Sequence, residues 1–273
     1  MGRGSVWAAG VGSVGRVSVL ETWNIQIPEA AVEPTKRWIR VRLGDTVVAD
    51  SRDAKLLRWY GPGKLPTYCF PPDAVRTDLL EPATRVGRIP FLVRHDVHVG
   101  DERVADGALR FQDPPEPLTE LDGWWTFAWD NGLTWYEEAS IVEAHAKDTG
   151  HRVDVVPSER HIRIEIDGVE VADTHRPHAL FETNLPTRWY LPLEDVHQEL
   201  LVASDTSTVC PYKGHASYWS VKVGDELHRD VVWTYRDPIP EQPRIKDLVC
   251  FFDERVDVYI DGERQERPQT PWS

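Results

Sequence analysis

Cys210-Pro211-Tyr212-Lys213-Gly214 places a thiol, a phenol and an ammonium inside one short block. Proline and glycine make the block a tight turn, and turns at strand ends deliver side chains into clefts. A lysine there can bind a carboxylate or phosphate of a ligand, or serve as an acid or base if desolvated. The alternative is an ordinary exposed turn lysine, whose removal would shift stability by at most about 0.5 kcal/mol. Cys210 is a nucleophile only as a thiolate, and Lys213, three residues on, supplies the positive charge a thiolate needs. The competing reading is a small buried hydrophobe at a strand end, favoured because no Cys-His pairing can be located from the spacing. Upstream, Glu182 follows Leu180-Phe181 in apolar surroundings. A carboxylate there is either solvated at a strand end or held in a pocket with a raised pKa. With Lys213 it would form an acid/base couple or a structural ion pair. Arg188 and Tyr190 flank the same region and are expected on alternate faces of the next strand, with Tyr190 the inward-facing residue that has a hydroxyl to donate. Tyr212, Tyr218, Trp219 and Trp233 are the aromatic groups available to line a pocket, although core packing is the commoner role for tryptophan.

The chain carries this block once but its scaffold twice. Arg37-Trp38-Ile39-Arg40-Val41-Arg42-Leu43 reads like Arg160-His161-Ile162-Arg163-Ile164-Glu165-Ile166, at an offset of 123 positions. Ala49-Asp50-Ser51 matches Ala172-Asp173-Thr174 at the same offset. Leu79-Leu80 then matches Leu200-Leu201, Gly100-Asp101-Glu102 matches Gly224-Asp225-Glu226, and Asp113-Pro114 matches Asp237-Pro238. Colinear blocks at so long a period indicate tandem domains rather than a solenoid. The first copy has Val86-Gly87-Arg88-Ile89-Pro90 against the Cys-Pro-Tyr-Lys-Gly block, Trp59 against Glu182, Cys69 against Tyr190 and Leu109 against Trp233. The reactive residues are confined to the second copy, so the first is expected to be a degenerate copy of the fold.

The elements follow from periodicity. Ile162, Ile164 and Ile166 alternate with Arg163 and Glu165, and Asp167-Gly168 follows, which predicts a strand and a tight hairpin. Further strands are expected around Trp189–Leu191, Trp219–Val223, Val231–Tyr235, Val249–Phe252 and Val256–Ile260. Pro192 to Leu201 predicts one short helix, with Leu193, Val196, Leu200 and Leu201 on one face. Each copy is therefore a curved antiparallel meander with one short helix. The expected boundaries are 34–145 for the first copy, 146–158 for a linker, 159–264 for the second copy and 265–273 for a tail. Residues 1–33 are Gly/Ala/Val/Ser-rich and are expected to be a disordered extension or arm, without the unbroken apolar run of a signal peptide.

Composition bounds the partners. A formal charge of −14 argues against a duplex nucleic acid or an anionic membrane. No run is long enough for a transmembrane helix. Three cysteines without a Cys-x-x-Cys pair suggest a reduced, cytoplasmic setting. The ten histidines are scattered, the closest spacing being His175-x-x-His178, so no metal is expected. No cofactor motif is found.

Arg160 to Thr174, Leu180-Phe181-Glu182-Thr183, Arg188-Trp189-Tyr190-Leu191-Pro192, Cys210-Pro211-Tyr212-Lys213-Gly214, Tyr218-Trp219 and Trp233-Thr234-Tyr235 together resemble the family known as domain of unknown function 427. The resemblance covers nearly all of the second copy, and only weakly the first. Glu137-Glu138 and His151-Arg152-Val153-Asp154-Val155 resemble the linker of its two-domain bacterial members. The resemblance implies a mainly β, tent-like domain and no established reaction. A nucleotidyltransferase-type label sometimes attached to the family has no Gly-Ser motif with a following Asp-x-Asp pair to rest on here.

Three functions stay open. The first is an enzyme acting on a small organic substrate through Lys213, Glu182 and Tyr190, with or without Cys210 as nucleophile. The second is a non-catalytic small-molecule or nucleotide binder using the same pocket. The third, an interaction protein, is disfavoured by the one-sided placement of the polar residues.

Overall fold

The structure, a computed structural model, describes residues 28–85, 87–129 and 131–270. They form two compact units, divided between Thr149 and Gly150. The arm expected over 1–33 lies outside the described residues up to position 27.

The protein is mainly β, and among the described residues every pair of strands is antiparallel. In the second unit, seven strands make one sheet in the order Val153–Pro157, His178–Glu182, Arg188–Leu191, Val249–Phe251, Glu226–Thr234, Gly214–Val223, Leu201–Cys210. A smaller sheet holds Val169–Thr174, Ile162–Ile166, Asp257–Ile260 and Glu263–Arg264. The first unit repeats the order with its large sheet in two pieces. One piece is Ala31–Pro34, Lys55–Arg58, Thr67–Cys69, and the other is Trp125–Phe127, Glu102–Phe111, Leu92–Val99, Leu80–Pro82. A single bridge from Phe70 to Trp125 joins them.

The duplication extends to irregularities. Bulges fall between Val41 and Arg42 and between Ile164 and Glu165, and again between His95 and Val97 and between Trp219 and Val221. Bulges twist and aim strands, so matching bulges mean matching backbone plans. Asp167 and Gly168 both adopt positive φ, 52° and 75°, as the tight hairpin turn requires.

Three expectations change. Residues 192–201 do not form a helix. Pro192 is followed by two separate single turns, Leu193–Asp195 and Gln198–Leu200, with Val196 extended between them. Val196 bridges to Ala172, and His197 N–H donates to the Val171 carbonyl, so tertiary pairing straightens the chain where the apolar spacing suggested a helix. Val153–Pro157, inside the expected linker, is a strand paired with His178–Glu182. Ala31–Pro34, whose first three residues fall in the expected arm, pairs with Lys55–Arg58 in the same manner. Each unit thus begins one strand earlier than the repeat indicates.

Among the described residues each unit has two apolar clusters. In the second, Ile162, Ile164, Leu191, Val221, Val249 and Phe251 fill one. The other is aromatic and polar: Tyr190, Trp233, Tyr235, Cys250, Leu180 and Ile245. Strand alternation sends odd and even residues of one strand to different clusters.

Candidate functional site

The site grows from the register of the large sheet. Tyr190 lies opposite Cys250, Cys250 opposite Trp233, and Trp233 opposite Tyr218. Directly opposed residues share a face, so these four side chains form one row across four strands. Trp233 Nε1–H donates to the Tyr190 hydroxyl at 3.0 Å. The Tyr218 hydroxyl meets Thr208 Oγ1 at 2.8 Å. Trp219, one residue on, points the other way and packs against the aliphatic cluster. The structure therefore separates Trp219 from the other aromatic candidates.

Lys213 and Glu182 meet at the edge of this face. Leu180 and Glu182 alternate with exposed Phe181, which directs the carboxylate inward. Cys210 pairs with Gly214 to close the hairpin around Pro211-Tyr212-Lys213, and Lys213 N–H donates to the Cys210 carbonyl. Gly214 has φ +105°, and a Cβ there would stand 3.3 Å from Ile239 N and 3.4 Å from Asp237 O. Only glycine suits that backbone, and the turn it permits sends Lys213 inward. Lys213 Nζ donates to Glu182 Oε2 at 2.6 Å. His151 Nε2 lies 3.0 Å from Glu182 Oε1, and its ring stacks on Tyr212 at 4.2 Å. The exposed-lysine alternative is thereby overturned, because Lys213 is buried, with 8% of its surface accessible.

Electrostatics fix the charge states. Burial pushes the Glu182 carboxyl up, but the Lys213 ammonium and the His151 hydrogen bond outweigh it and bring it down to about 2. Burial lowers Lys213, yet Cys210 and Glu182 raise it above its ordinary value. The pair is therefore a resident ion pair rather than a carboxyl with a raised pKa. Burial also pushes the Cys210 thiol up more than Lys213 lowers it, which leaves a protonated thiol rather than a nucleophile. Tyr190 is pushed well up, first by burial, and stays a neutral phenol.

Arg188, expected on the face away from Tyr190, lies on the same face, because residues two apart on a strand point the same way. Arg188, opposite Leu180, makes a two-pronged pair with Glu254 at 2.9 and 2.5 Å, and it comes within 3.6 Å of Asp253. Thr270 also donates to Glu254. The guanidinium lies 5.7 Å from the centre of the Trp233 ring. Burial, and then Glu254, raise Asp253 to about 7 against the opposing pull of Arg188. His151, Tyr235, Cys250, Asp253 and Glu254 were not singled out from sequence. For Tyr235 the signal was present, since it alternates with Trp233 on one strand.

The Asp253 shift has a sign that can be tested. A raised carboxyl means the folded state holds its proton where the unfolded chain has released it, so stability falls as pH rises from about 4 to about 7. Asp253→Asn is expected to stabilise the second unit by roughly 1–2 kcal/mol at pH 8 and to change little at pH 4. Urea unfolding at both pH values measures the difference.

In the first unit the matching space is an apolar plug. Trp59 replaces Glu182 and packs 6.2 Å from Phe111, which replaces Tyr235. Leu57, Cys69, Leu92, Leu118 and Leu121 complete the cluster, with Ile89 at the place of Lys213 packed against it.

These features define a tandem β protein whose second unit buries an ion-paired lysine beside an aromatic row, at a place where its first unit has an apolar cluster. The chain belongs to the family described as Domain of unknown function (DUF427), whose model matches residues 31–138 and 154–262. No curated protein shows significant similarity to it. No helix among the described residues is long and apolar enough to cross a membrane.

Proposed function

We propose that the second unit binds a small organic molecule at the face formed by Lys213, Glu182, Tyr190 and the Tyr218–Trp233 row. The observation that carries this reading is the buried Lys213–Glu182 pair at a place where the first unit has Trp59 and Ile89. A fold that already has an apolar solution gains little stability from a buried ion pair, because desolvation cancels most of the attraction. Recognition of a polar ligand supplies a reason for the exchange. Lys213 would offer its ammonium to a carboxylate or phosphate of the ligand, with Glu182 and His151 holding it in place. Arg188 lies beside Trp233, Tyr212 backs the pair through its stack on His151, and the rings of Tyr218 and Trp233 would take up the flat part of the ligand.

Binding is better supported than proton transfer by the ion pair itself, since Glu182 at about 2 is a weak base and Lys213, raised, a weak acid. A catalytic reading is favoured by a different group. Asp253, at about 7, is suited to exchange a proton near neutrality.

The test is affinity mass spectrometry with a metabolite extract on the wild-type chain, Lys213→Met/Glu182→Leu and Cys210→Ala. The double variant removes both charges together and so keeps the fold. It is expected to lose ligand by about 10- to 100-fold, as for a charge-assisted hydrogen bond. Cys210→Ala should retain it. Undiminished capture by the folded double variant would move the site away from this face. Conversion of the captured ligand by wild type, lost in Asp253→Asn, would establish the catalytic reading.

A further inference from the structure

We propose that His161, Asp173 and His175 form a binding site for a divalent transition-metal ion of the zinc class. The hairpin between Ile162–Ile166 and Val169–Thr174 assembles it. Ile162 pairs with Thr174 and Arg163 with Asp173, so His161 and His175 flank the open end of the hairpin, facing each other across it. Ile162 and Thr174 are buried, and the alternating residues His161, Asp173 and His175 turn to the outer face. His161 Nε2 lies 2.8 Å from Asp173 Oδ2. The two imidazole rings stack 4.1 Å apart, 13° from parallel. One potential ligand atom from each of the three residues lies within 4.8 Å of the other two. Sequence spacing does not reveal this set, because Asp173 and His175 are separated from His161 by a whole hairpin.

The first unit supplies an internal comparison. At the matching positions it has Trp38, Asp50 and Arg52. Trp38 Nε1–H donates to Asp50 Oδ1 at 2.6 Å, and the Arg52 guanidinium lies 4.5 Å from the Trp38 ring centre. The contacts are therefore the same in kind: a ring N–H on the carboxylate and a flat group beside the ring. Indole and guanidinium have no lone pair to give a metal, so the first unit meets the structural need with groups that cannot ligate. The second unit has exchanged both for imidazoles around the same carboxylate. Two imidazoles and one carboxylate are a donor set suited to zinc, cobalt, nickel or copper rather than to magnesium or calcium. An imidazole binds a metal in its own ring plane, and planes 13° from parallel do not converge on one ion, so the His175 ring must turn well out of its stack to bring the two nitrogens to the roughly 3.3 Å they keep on a tetrahedral zinc. His175 is exposed and free to do so. Three protein donors leave the remaining coordination positions to water.

A second cluster of this kind among the described residues, Asp167, Glu226 and His228, has a single, half-buried imidazole on the strand Glu226–Thr234 and serves as the control. The experiment is titration calorimetry of the full chain, freed of metal, with zinc chloride and then cobalt chloride. We expect one site, with cobalt giving the visible bands of a tetrahedral ion. His175→Ala should weaken zinc by about tenfold or more, and His228→Ala should leave it unchanged. His161→Trp/His175→Arg installs the first unit's own residues, so it keeps the hairpin packed and should lose the site completely. Absence of zinc binding to wild type, wild-type affinity in the folded double variant, or loss of binding in His228→Ala would each overturn the assignment.

Discussion

Glu182→Ala is expected to lower the stability of the second unit by about 3–5 kcal/mol, because it leaves the Lys213 ammonium buried without its counter-charge. Lys213→Met/Glu182→Leu removes both charges and should come within about 1 kcal/mol of wild type, because apolar replacements of a buried pair are often neutral. The pair also sets a pH window. Glu182 titrates at about 2 in the fold against 4.5 in the open chain. Its contribution, about 3 kcal/mol by linkage, is fully present above the open-chain value and is lost as pH falls through the folded one. Lys213 is raised above 10.5, so its contribution is present below that value and is lost as pH rises beyond it. Hydrogen exchange of peptides spanning His178–Leu191 isolates the second unit. Equal protection in wild type and Glu182→Ala would show that the pair carries no such energy.

Arg188→Met is expected to be as damaging, again about 3–5 kcal/mol, for the opposite reason. It leaves two carboxylates, Asp253 and Glu254, side by side without the guanidinium that serves both. Glu254 is held below its ordinary value by Arg188 and Thr270, which together outweigh its burial, so losing Arg188 should push both acids toward protonation. The variant should accordingly recover stability as pH is lowered from 7 to 5, where wild type changes less. Chemical unfolding across that range measures it, and a pH-independent loss would assign Arg188 a packing role alone.

The strand plan was legible because the chain states it twice. Alternation at Ile162–Ile166 and the Asp167-Gly168 turn fixed the hairpin, and the matched blocks fixed the common order. The helix at 192–201 was misread because Leu193, Val196, Leu200 and Leu201 have helical spacing for another reason. Two short turns flank a β-bridge at Val196, and periodicity does not distinguish that arrangement from a helix. Lys213 and Glu182 could be singled out because each has an apolar counterpart in the first copy. Their meeting at 2.6 Å could not be read, since only the sheet brings residues 31 positions apart together. His151 was hidden by its place in a stretch expected to be linker. Glu254 lies 66 positions from Arg188, on the far side of two hairpins, and no local pattern links them.

The place of Val249–Phe251 in the large sheet also governs how the second unit folds. This strand lies between Arg188–Leu191 and Glu226–Thr234, yet it follows both in the chain. Without it, the remaining strands would divide into two ribbons of three, each with an unpaired edge. Insertion of the late strand joins the ribbons and completes the Tyr190–Cys250–Trp233 row in the same event. Closure over so long a separation is slow relative to hairpin formation. The second unit should therefore pass through a state that has its hairpins but neither its aromatic row nor its sealed edges, and this is the stage at which it is most exposed to aggregation.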